Sequence, residues 1–190
     1  SSPAVCPVGT FNPSFGGRNS SACLPRTSGY YCPHTAMVTP VDLCPAGYYC
    51  PTGEVTPTNV CSPGHRCPTG SSTETPCLPG TYQNASAQDV CLTCPAGSYC
   101  GAQTTRPSTC PAGYFCPAAS AQPAQYPCPP GTYSALPGLH NSSQCTPCDQ
   151  GQYCLGGNTT TDGPCDAGYY CTGGSPTATP AFNQSAHHTL

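Results

Sequence analysis

Cysteine at regular spacing is the feature that most constrains this chain. The motif Cys-x-x-Gly opens nine repeats, and a tenth copy, Arg26 to Gly29, has arginine in the cysteine place. We number the repeats 1 to 10 from their starts at Cys6, Arg26, Cys44, Cys61, Cys77, Cys94, Cys110, Cys128, Cys148 and Cys165. Starts that lie 16 to 20 residues apart predict an array of small units rather than one domain with one core.

The composition explains how such small units are held together. Cysteine supplies 19 of 190 residues, whereas tryptophan is absent and large apolar residues are too scarce to stabilise a core of ordinary size. Cysteine at this density is typical of disulfide scaffolds made in an oxidising compartment. We therefore predict a small disulfide-rich fold that is secreted or faces the outside of the cell.

The repeats differ in where their second cysteine lies. Seven are short, with a second cysteine six residues after the start, at Cys32, Cys50, Cys67, Cys100, Cys116, Cys154 and Cys171. Repeats 1, 5 and 8, here called the long repeats, run through a polar loop to Cys23, Cys91 and Cys145. In Cys44-Pro45-Ala46-Gly47, proline suits the second place of a type I turn and glycine the fourth, so each repeat should open with a tight turn.

Proline and glycine set the expected secondary structure. At 26 and 21 residues they interrupt helices and central strands, which leaves short β-hairpins with little or no helix. Because each small repeat should contact mainly its sequence neighbours, we expect an elongated rod of tandem repeats.

Charge and hydropathy exclude several partners. Four basic and seven acidic residues give a net charge of −3, too few cations for a nucleic-acid or anionic-lipid surface. No apolar stretch approaches the ~18 residues of a membrane helix, so no membrane span is predicted. Ser1 starts without an apolar signal region, and the chain resembles a processed mature product or an excised ectodomain.

One family shares this layout. Cys77-Leu-Pro-Gly-Thr-Tyr, followed by Cys91-x2-Cys94-Pro-Ala-Gly-Ser-Tyr-Cys100, resembles the ephrin-receptor-like cysteine-rich repeat of extracellular proteins, which is related in layout to tumour-necrosis-factor-receptor modules. The resemblance covers roughly Cys6 to Cys171 and implies that the first cysteine of a module pairs with the second, the third with the fifth, and the fourth with the sixth. The implied bridges are Cys77–Cys91, Cys94–Cys110, Cys100–Cys116, Cys128–Cys145, Cys148–Cys165 and Cys154–Cys171.

The N-terminal third fits this pattern less regularly. Cys6–Cys23 follows the rule, and Cys44–Cys61 with Cys50–Cys67 keep the separations of the other crossed pairs. Arg26 stands in a cysteine place, which leaves Cys32 as a free or intermolecular thiol. An alternative register pairs Cys32–Cys50 and Cys61–Cys67 and leaves Cys44 free, and connectivity is not deducible from sequence alone.

These patterns together predict five segments. They are a degenerate N-terminal cysteine-rich module at 6–43, two short repeats at 44–76, six-cysteine modules at 77–127 and 128–174, and a C-terminal tail at 175–190.

Five sequons predict N-glycosylation. Asn-x-Ser/Thr occurs at Asn19, Asn84, Asn141, Asn158 and Asn183. The first three each fall in one of the long loops, before its closing cysteine, so these loops are expected to carry glycans. A glycan coat would supply the hydration that the few charged residues do not.

No catalytic or metal-binding constellation is apparent. The Cys-x-x-Cys pairs, such as Cys91 to Cys94, lack a second ligand pair at zinc spacing and a βαβ scaffold, so we interpret them as structural disulfides. His187 and His188 lie next to each other on a polar tail, where solvated histidines are the ordinary case. We therefore predict neither an enzyme, nor a cofactor, nor a metal site.

Two functions remain from different classes. The first is a structural subunit of an extracellular coat, matrix or head-to-tail surface filament, with self-association through the tail. The alternative is the ligand-binding ectodomain of a receptor or adhesion protein, with exposed tyrosines as the binding face. The candidate tyrosines are Tyr30, Tyr31, Tyr48, Tyr49, Tyr169 and Tyr170.

Overall fold

A computed structural model describes residues 5–12, 20–25, 27–31, 35 and 42–181. The chain forms two compact units, Ser1–Thr93 with Gly101–Arg106 and Cys94–Cys100 with Pro107–Leu190, here called unit 1 and unit 2. Nine disulfides and short antiparallel hairpins confirm the disulfide-rich, hairpin-based fold. Within the described ranges the only helical pieces are the 3₁₀ turns Ser20–Ala22 and Ser142–Gln144. The rod and the five-segment division stay predictions.

The hairpins follow one rule. The two residues after a Cys-x-x-Gly glycine pair with the two residues just before the start of the next repeat. In unit 1 the pairs are Thr10–Phe11 with Leu24–Pro25, Tyr30–Tyr31 with Asp42–Leu43, Tyr48–Tyr49 with Asn59–Val60, His65–Arg66 with Thr75–Pro76, and Thr81–Tyr82 with Leu92–Thr93. In unit 2 they are Ser98–Tyr99 with Ser108–Thr109, Thr132–Tyr133 with Thr146–Pro147, and Gln152–Tyr153 with Gly163–Pro164.

The opening turn lies one residue later than the sequence analysis placed it. The Tyr48 N–H donates to the Pro45 carbonyl oxygen at 3.1 Å, so the turn spans 45–48 rather than 44–47. Gly47 is then the third turn residue, with φ +84°. A type II turn requires this positive φ at its third position, and glycine adopts it at the least steric cost. The type I assignment with glycine fourth is therefore wrong.

The buried hydrophobic side chains of the described residues are almost all cysteines. Fifteen of its sixteen buried hydrophobic side chains are cysteines, and the sixteenth is Leu139. Leu139 packs with Cys128 and Cys145, beside the half-buried ring of Phe115. The disulfides therefore fill the place that aliphatic side chains take in an ordinary core.

The disulfide pairing differs from the crossed pattern that the resemblance implies. The three long closures Cys6–Cys23, Cys77–Cys91 and Cys128–Cys145 are as predicted. The crossed pairs Cys44–Cys61, Cys50–Cys67, Cys94–Cys110, Cys100–Cys116, Cys148–Cys165 and Cys154–Cys171 are replaced by Cys44–Cys50, Cys61–Cys67, Cys94–Cys100, Cys110–Cys116, Cys148–Cys154 and Cys165–Cys171. In these six short repeats the turn brings the two cysteine Cα atoms within 5.8–6.0 Å, the ordinary span of one disulfide.

The alternative N-terminal register is also corrected. Its Cys61–Cys67 pair is present, but Cys50 bonds to Cys44 and is not available to Cys32. Cys44 is therefore not a free thiol. Cys32 lies outside the described residues, and its unpaired state stays a prediction.

Candidate functional site

The surface that recurs along the chain is the junction between consecutive repeats. Four backbone hydrogen bonds cross it, and we call this set the junction ladder. Between repeats 3 and 4 it runs from Gly47 N–H to Cys67 oxygen, from Cys50 to Ser71, from Gly70 to Cys44 and from Cys61 to Gly47, at 2.8–2.9 Å. Equivalent bonds join repeats 4–5, 6–7, 7–8, 8–9 and 9–10, at 2.7–3.1 Å. Because the ladder uses only main-chain groups, loops and side chains can vary without breaking it.

Besides the glycine of the opening turn, such as Gly47, one further residue of each ladder has left-handed backbone geometry. It donates its N–H to the first cysteine of the preceding repeat, as Gly70 does to Cys44. Most of these residues are glycines, but Ala87, Gln103 and Ala119 hold the same place with φ between 56° and 65°. A non-glycine residue in this conformation costs of the order of 1 kcal/mol or more, which the ladder bonds offset.

Contacts also reach the second-next repeat within each unit. In unit 2 a Cβ at Gly97 of repeat 6 would lie 2.7 Å from the carbonyl oxygen of Gly138 in repeat 8. In unit 1 a Cβ at Gly64 of repeat 4 would lie 2.7 Å from the Gln103 oxygen in repeat 6. The expectation that repeats contact mainly their sequence neighbours is therefore too narrow. Because the turn glycine has no Cβ, the backbone of the second-next repeat can approach it closely.

Two long repeats, 5 and 8, keep bonds of the ladder although the residue six places after their first cysteine is not a cysteine. Gln83 takes this place in repeat 5 and Ser134 in repeat 8, and both side chains are buried. Gln83 Nε2 donates to the Val90 oxygen at 2.8 Å, and its Oε1 accepts from the Ala85 N–H at 3.1 Å. A buried polar side chain thus holds the base of the loop in repeats 5 and 8, while the disulfide moves to the far end.

Asn141 has the local geometry of an accessible glycan acceptor. It caps the 3₁₀ turn Ser142–Gln144, where its Oδ1 accepts from the Ser143 N–H at 3.1 Å and from the Ser143 hydroxyl at 2.6 Å. Both bonds use the oxygen, and within the described chain the exposed Nδ2, to which a glycan would be attached, has no partner. The predicted site therefore lies on the surface with its reactive atom outward.

The other sequons differ in accessibility. Asn84 is exposed on the loop that Gln83 holds. Asn158 is half-buried, and its Nδ2 donates to Asp162 Oδ1 at 2.6 Å. Asn19 and Asn183 lie outside the described residues.

The candidate tyrosines fall into two groups. Tyr30, Tyr31, Tyr48 and Tyr49 are half-buried in hairpins. Tyr169 and Tyr170, in repeat 10, are 43% and 60% exposed and lie in no strand. Only this last pair presents a large aromatic surface.

Charged and metal-ligating groups are sparse across the described part of the chain. His65 Nδ1 lies 3.7 Å from Glu74 Oε2, while Glu74 Oε1 accepts from the Ser62 N–H and hydroxyl at 3.2 and 2.8 Å. These contacts join the start of repeat 4 to the end of its loop. Within the described ranges, no group of three or more His, Cys, Asp or Glu side chains is arranged around a common metal position.

Further copies of the motif mark several ladder residues in the sequence. Cys-x-x-Gly also begins at the closing cysteines Cys50, Cys67, Cys154 and Cys171, and its glycine is the left-handed residue of the ladder. When the long and short repeats are aligned from their first cysteine, Gln83 and Ser134 occupy the position of the second cysteine, six residues after the first.

Comparison with known proteins leaves the family open. Neither the models of known protein families nor the curated proteins give a match to this chain. What the fold itself defines is an extracellular, disulfide-dense repeat protein, because nine disulfides form and persist in an oxidising compartment. Among the described residues, no helix has the length and hydrophobicity to cross a bilayer.

Proposed function

We propose that this chain is an N-glycosylated structural repeat protein of an extracellular coat, matrix or head-to-tail surface filament. The observation that carries the proposal is the junction ladder, which recurs at six junctions with nearly constant bond lengths. A chain whose main-chain hydrogen bonds form equivalent junctions, with one disulfide closing each of six short repeats, is suited to bearing load and resisting proteolysis. This role needs no enzymatic activity and no cofactor.

Glycosylation is the second part of the proposal. Asn84 and Asn141 are exposed on loops whose bases are fixed by buried side chains or a capped turn. Bulky glycans there would cover a surface with few charged groups. We expect these two sites to be occupied in the secreted protein, and Asn158 less fully because its amide is engaged by Asp162.

The glycan part is tested by enzymatic deglycosylation of wild type, Asn84→Gln and Asn141→Gln, followed by intact-mass measurement. Each substitution should remove one glycan mass relative to wild type. A matched control is Asn59→Gln, since Asn59 lies in a hairpin and is not the asparagine of an Asn-x-Ser/Thr sequon. Wild type without any mass loss on deglycosylation would contradict this part.

The assembly part is tested by electron microscopy and light scattering of the secreted, glycosylated chain over a range of concentrations. The structural function predicts fibres or sheets and an average mass that rises with concentration. A protein that stays monomeric at all concentrations, and that binds one soluble partner saturably, would instead be a receptor.

The second candidate function, a ligand-binding ectodomain of a receptor, is supported by the exposure of Tyr169 and Tyr170. An exposed aromatic pair is a common anchor of protein–protein interfaces. Membership in the ephrin-receptor-like family would fit either function, since such repeats occur in receptors and in coats. The separate disulfide of each short repeat, in place of crossed pairs, is the feature in which this chain departs from that family's layout.

A further inference from the structure

The cysteine that opens repeat 10 is less covered than its counterparts in the other short repeats with two cysteines. Of these counterparts, Cys44, Cys61, Cys94 and Cys110 are 0% exposed and Cys148 is 1% exposed. Cys165 is half-buried, and the residues 166–170 that follow it are all exposed. The Cys165–Cys171 disulfide is therefore the short bridge that solvent reaches from one side.

This difference follows from the missing junction after repeat 10. The Cys148 oxygen accepts from the Gly174 N–H at 2.9 Å, whereas no equivalent bond reaches the Cys165 oxygen from the described residues. A Cβ at Gly168 would likewise meet no described atom within 4 Å apart from its sequence neighbours. A further repeat at the usual spacing of 16 to 20 residues would start within 181–185, where the sequence has no cysteine. Cys165 thus lacks the cover that a following repeat supplies.

The segment after repeat 10 covers only the other cysteine of the bridge. Cys171 is 0% exposed, and its Sγ lies 3.6 Å from the carbonyl oxygen of Thr177. The same segment is held to repeat 10 by the Asp166 N–H, which donates to the Ala178 oxygen at 3.0 Å. A nucleophile from solvent can therefore approach Cys165 but not Cys171.

We propose that the Cys165–Cys171 bridge is a thiol–disulfide exchange site for a small-molecule thiolate. The thiolate attacks Cys165 Sγ and forms a mixed disulfide with it, while the Cys165–Cys171 bond breaks. The electron pair of that bond goes to Cys171 Sγ, which leaves as a thiolate and takes a proton from water. The Thr177 oxygen then accepts a hydrogen bond from the new S–H.

A small thiolate fits this site better than a protein thiol, because only one cysteine of the bridge is partly exposed. Exchange depends on access to the attacked sulfur. The junction with repeat 9 survives the reaction, since the bonds from Gly151 to Cys171 and from Gly174 to Cys148 join main-chain atoms. The site goes beyond the proposed structural function and does not depend on it.

The test exposes the native, glycosylated chain to increasing concentrations of reduced glutathione, followed by acid quenching, maleimide labelling and peptide mapping. We expect glutathione on Cys165 and maleimide on Cys171, at a rate at least about tenfold above the opening of Cys148–Cys154. Cys148–Cys154 is the matched control, because it has the same separation of six residues and lies in the same unit. Its cysteines are 1% and 0% exposed.

A variant without the bridge checks the assignment. Cys165→Ser/Cys171→Ser should take up no glutathione at the concentrations that load the wild type, and uptake retained by this variant would show that the reaction occurs elsewhere. Equal opening of Cys165–Cys171 and Cys148–Cys154 would overturn the site, and so would glutathione on Cys171 in place of Cys165. Opening by a Cys-x-x-Cys oxidoreductase but not by glutathione would mean that the small thiolate is the wrong reactant. None of these results bears on whether the chain assembles, which light scattering decides separately.

Discussion

Repeats 4 and 5 are neighbours in the same unit that close in different ways. Repeat 4 closes with Cys61–Cys67, six residues apart, whereas repeat 5 closes with Cys77–Cys91, fourteen residues apart. The backbone bonds at the residue six places after the first cysteine are nevertheless equivalent. Cys67 accepts from Gly47 and donates to Gln88, and at the equivalent place Gln83 accepts from Gly64 and donates to Thr104.

In the short repeat, Cys67 both closes the repeat through its disulfide and occupies the ladder position. In repeat 5 these two roles belong to different residues, Cys91 and Gln83. The ladder position can be held by a cysteine or by a hydrogen-bonded glutamine. Moving the disulfide outward frees a loop, and the exposed sequon Asn84 lies on that loop. The long repeat thus exposes a loop for modification, while the backbone hydrogen bonds at the ladder position are kept.

The largest expected effect comes from crowding the contact between a repeat and the second-next repeat. Gly97→Ala places a Cβ with φ +81° against the Gly138 oxygen, so it should cost about 2–5 kcal/mol from strain and overpacking together. Gly151→Ala has the same φ but open space, and it should cost about 1–2 kcal/mol from backbone strain alone. Urea unfolding followed by tyrosine fluorescence measures both. Equal losses would show that the approach of the third repeat has no energetic weight.

Removing one closure at a time should have the next largest effect. In the chain-entropy model Cys61→Ala/Cys67→Ala loses about 2 kcal/mol and Cys77→Ala/Cys91→Ala about 3 kcal/mol, with lost packing added to each. The short-repeat variant should also lose amide-exchange protection at Gly47, which donates to Cys67. The long-repeat variant should keep protection at Gly64, because Gln83 still accepts its bond. Loss of protection at both glycines would contradict the division between closure and ladder.

The smallest effect is expected from exchanging one closure for the other. Gln83→Cys combined with Cys91→Ser gives repeat 5 the spacing of a short repeat, so Cys77 should bond to the new thiol. The shorter loop is worth about 1 kcal/mol less than the native one in the chain-entropy model. Intact mass with and without alkylation should show the wild-type number of free thiols. Two additional thiols would mean that position 83 does not have the geometry of Cys67.

The sequence predicts the hairpins and long closures of this fold because both depend on local spacing. Cys-x-x-Gly fixes a turn wherever it occurs, and a polar loop between Cys77 and Cys91 leaves few alternatives. The pairing of the short repeats was not predictable, because the ladder that joins Gly47 to Cys67 also brings the cysteines of adjacent repeats together. Spacing alone then does not distinguish a neighbour six residues away from one sixteen residues away.

The left-handed ladder residues that are not glycines could not be predicted from the sequence, for a different reason. Gln103 has a φ of 56° but is not a glycine, so no composition signal marks it. Its conformation is imposed by the hydrogen bond from its N–H to the Cys77 oxygen of the preceding repeat. Such a residue is recognised only once the neighbouring repeat is in place.

The central claim is that each short repeat with two cysteines closes on itself. Peptide mapping without reduction, after peptic digestion at acid pH where thiol exchange is suppressed, tests it at repeats 6 and 7. The account predicts that cleavage between Cys100 and Cys110 separates a peptide holding Cys94–Cys100 from one holding Cys110–Cys116. Peptides in which Cys94 stays joined to Cys110, and Cys100 to Cys116, would contradict it.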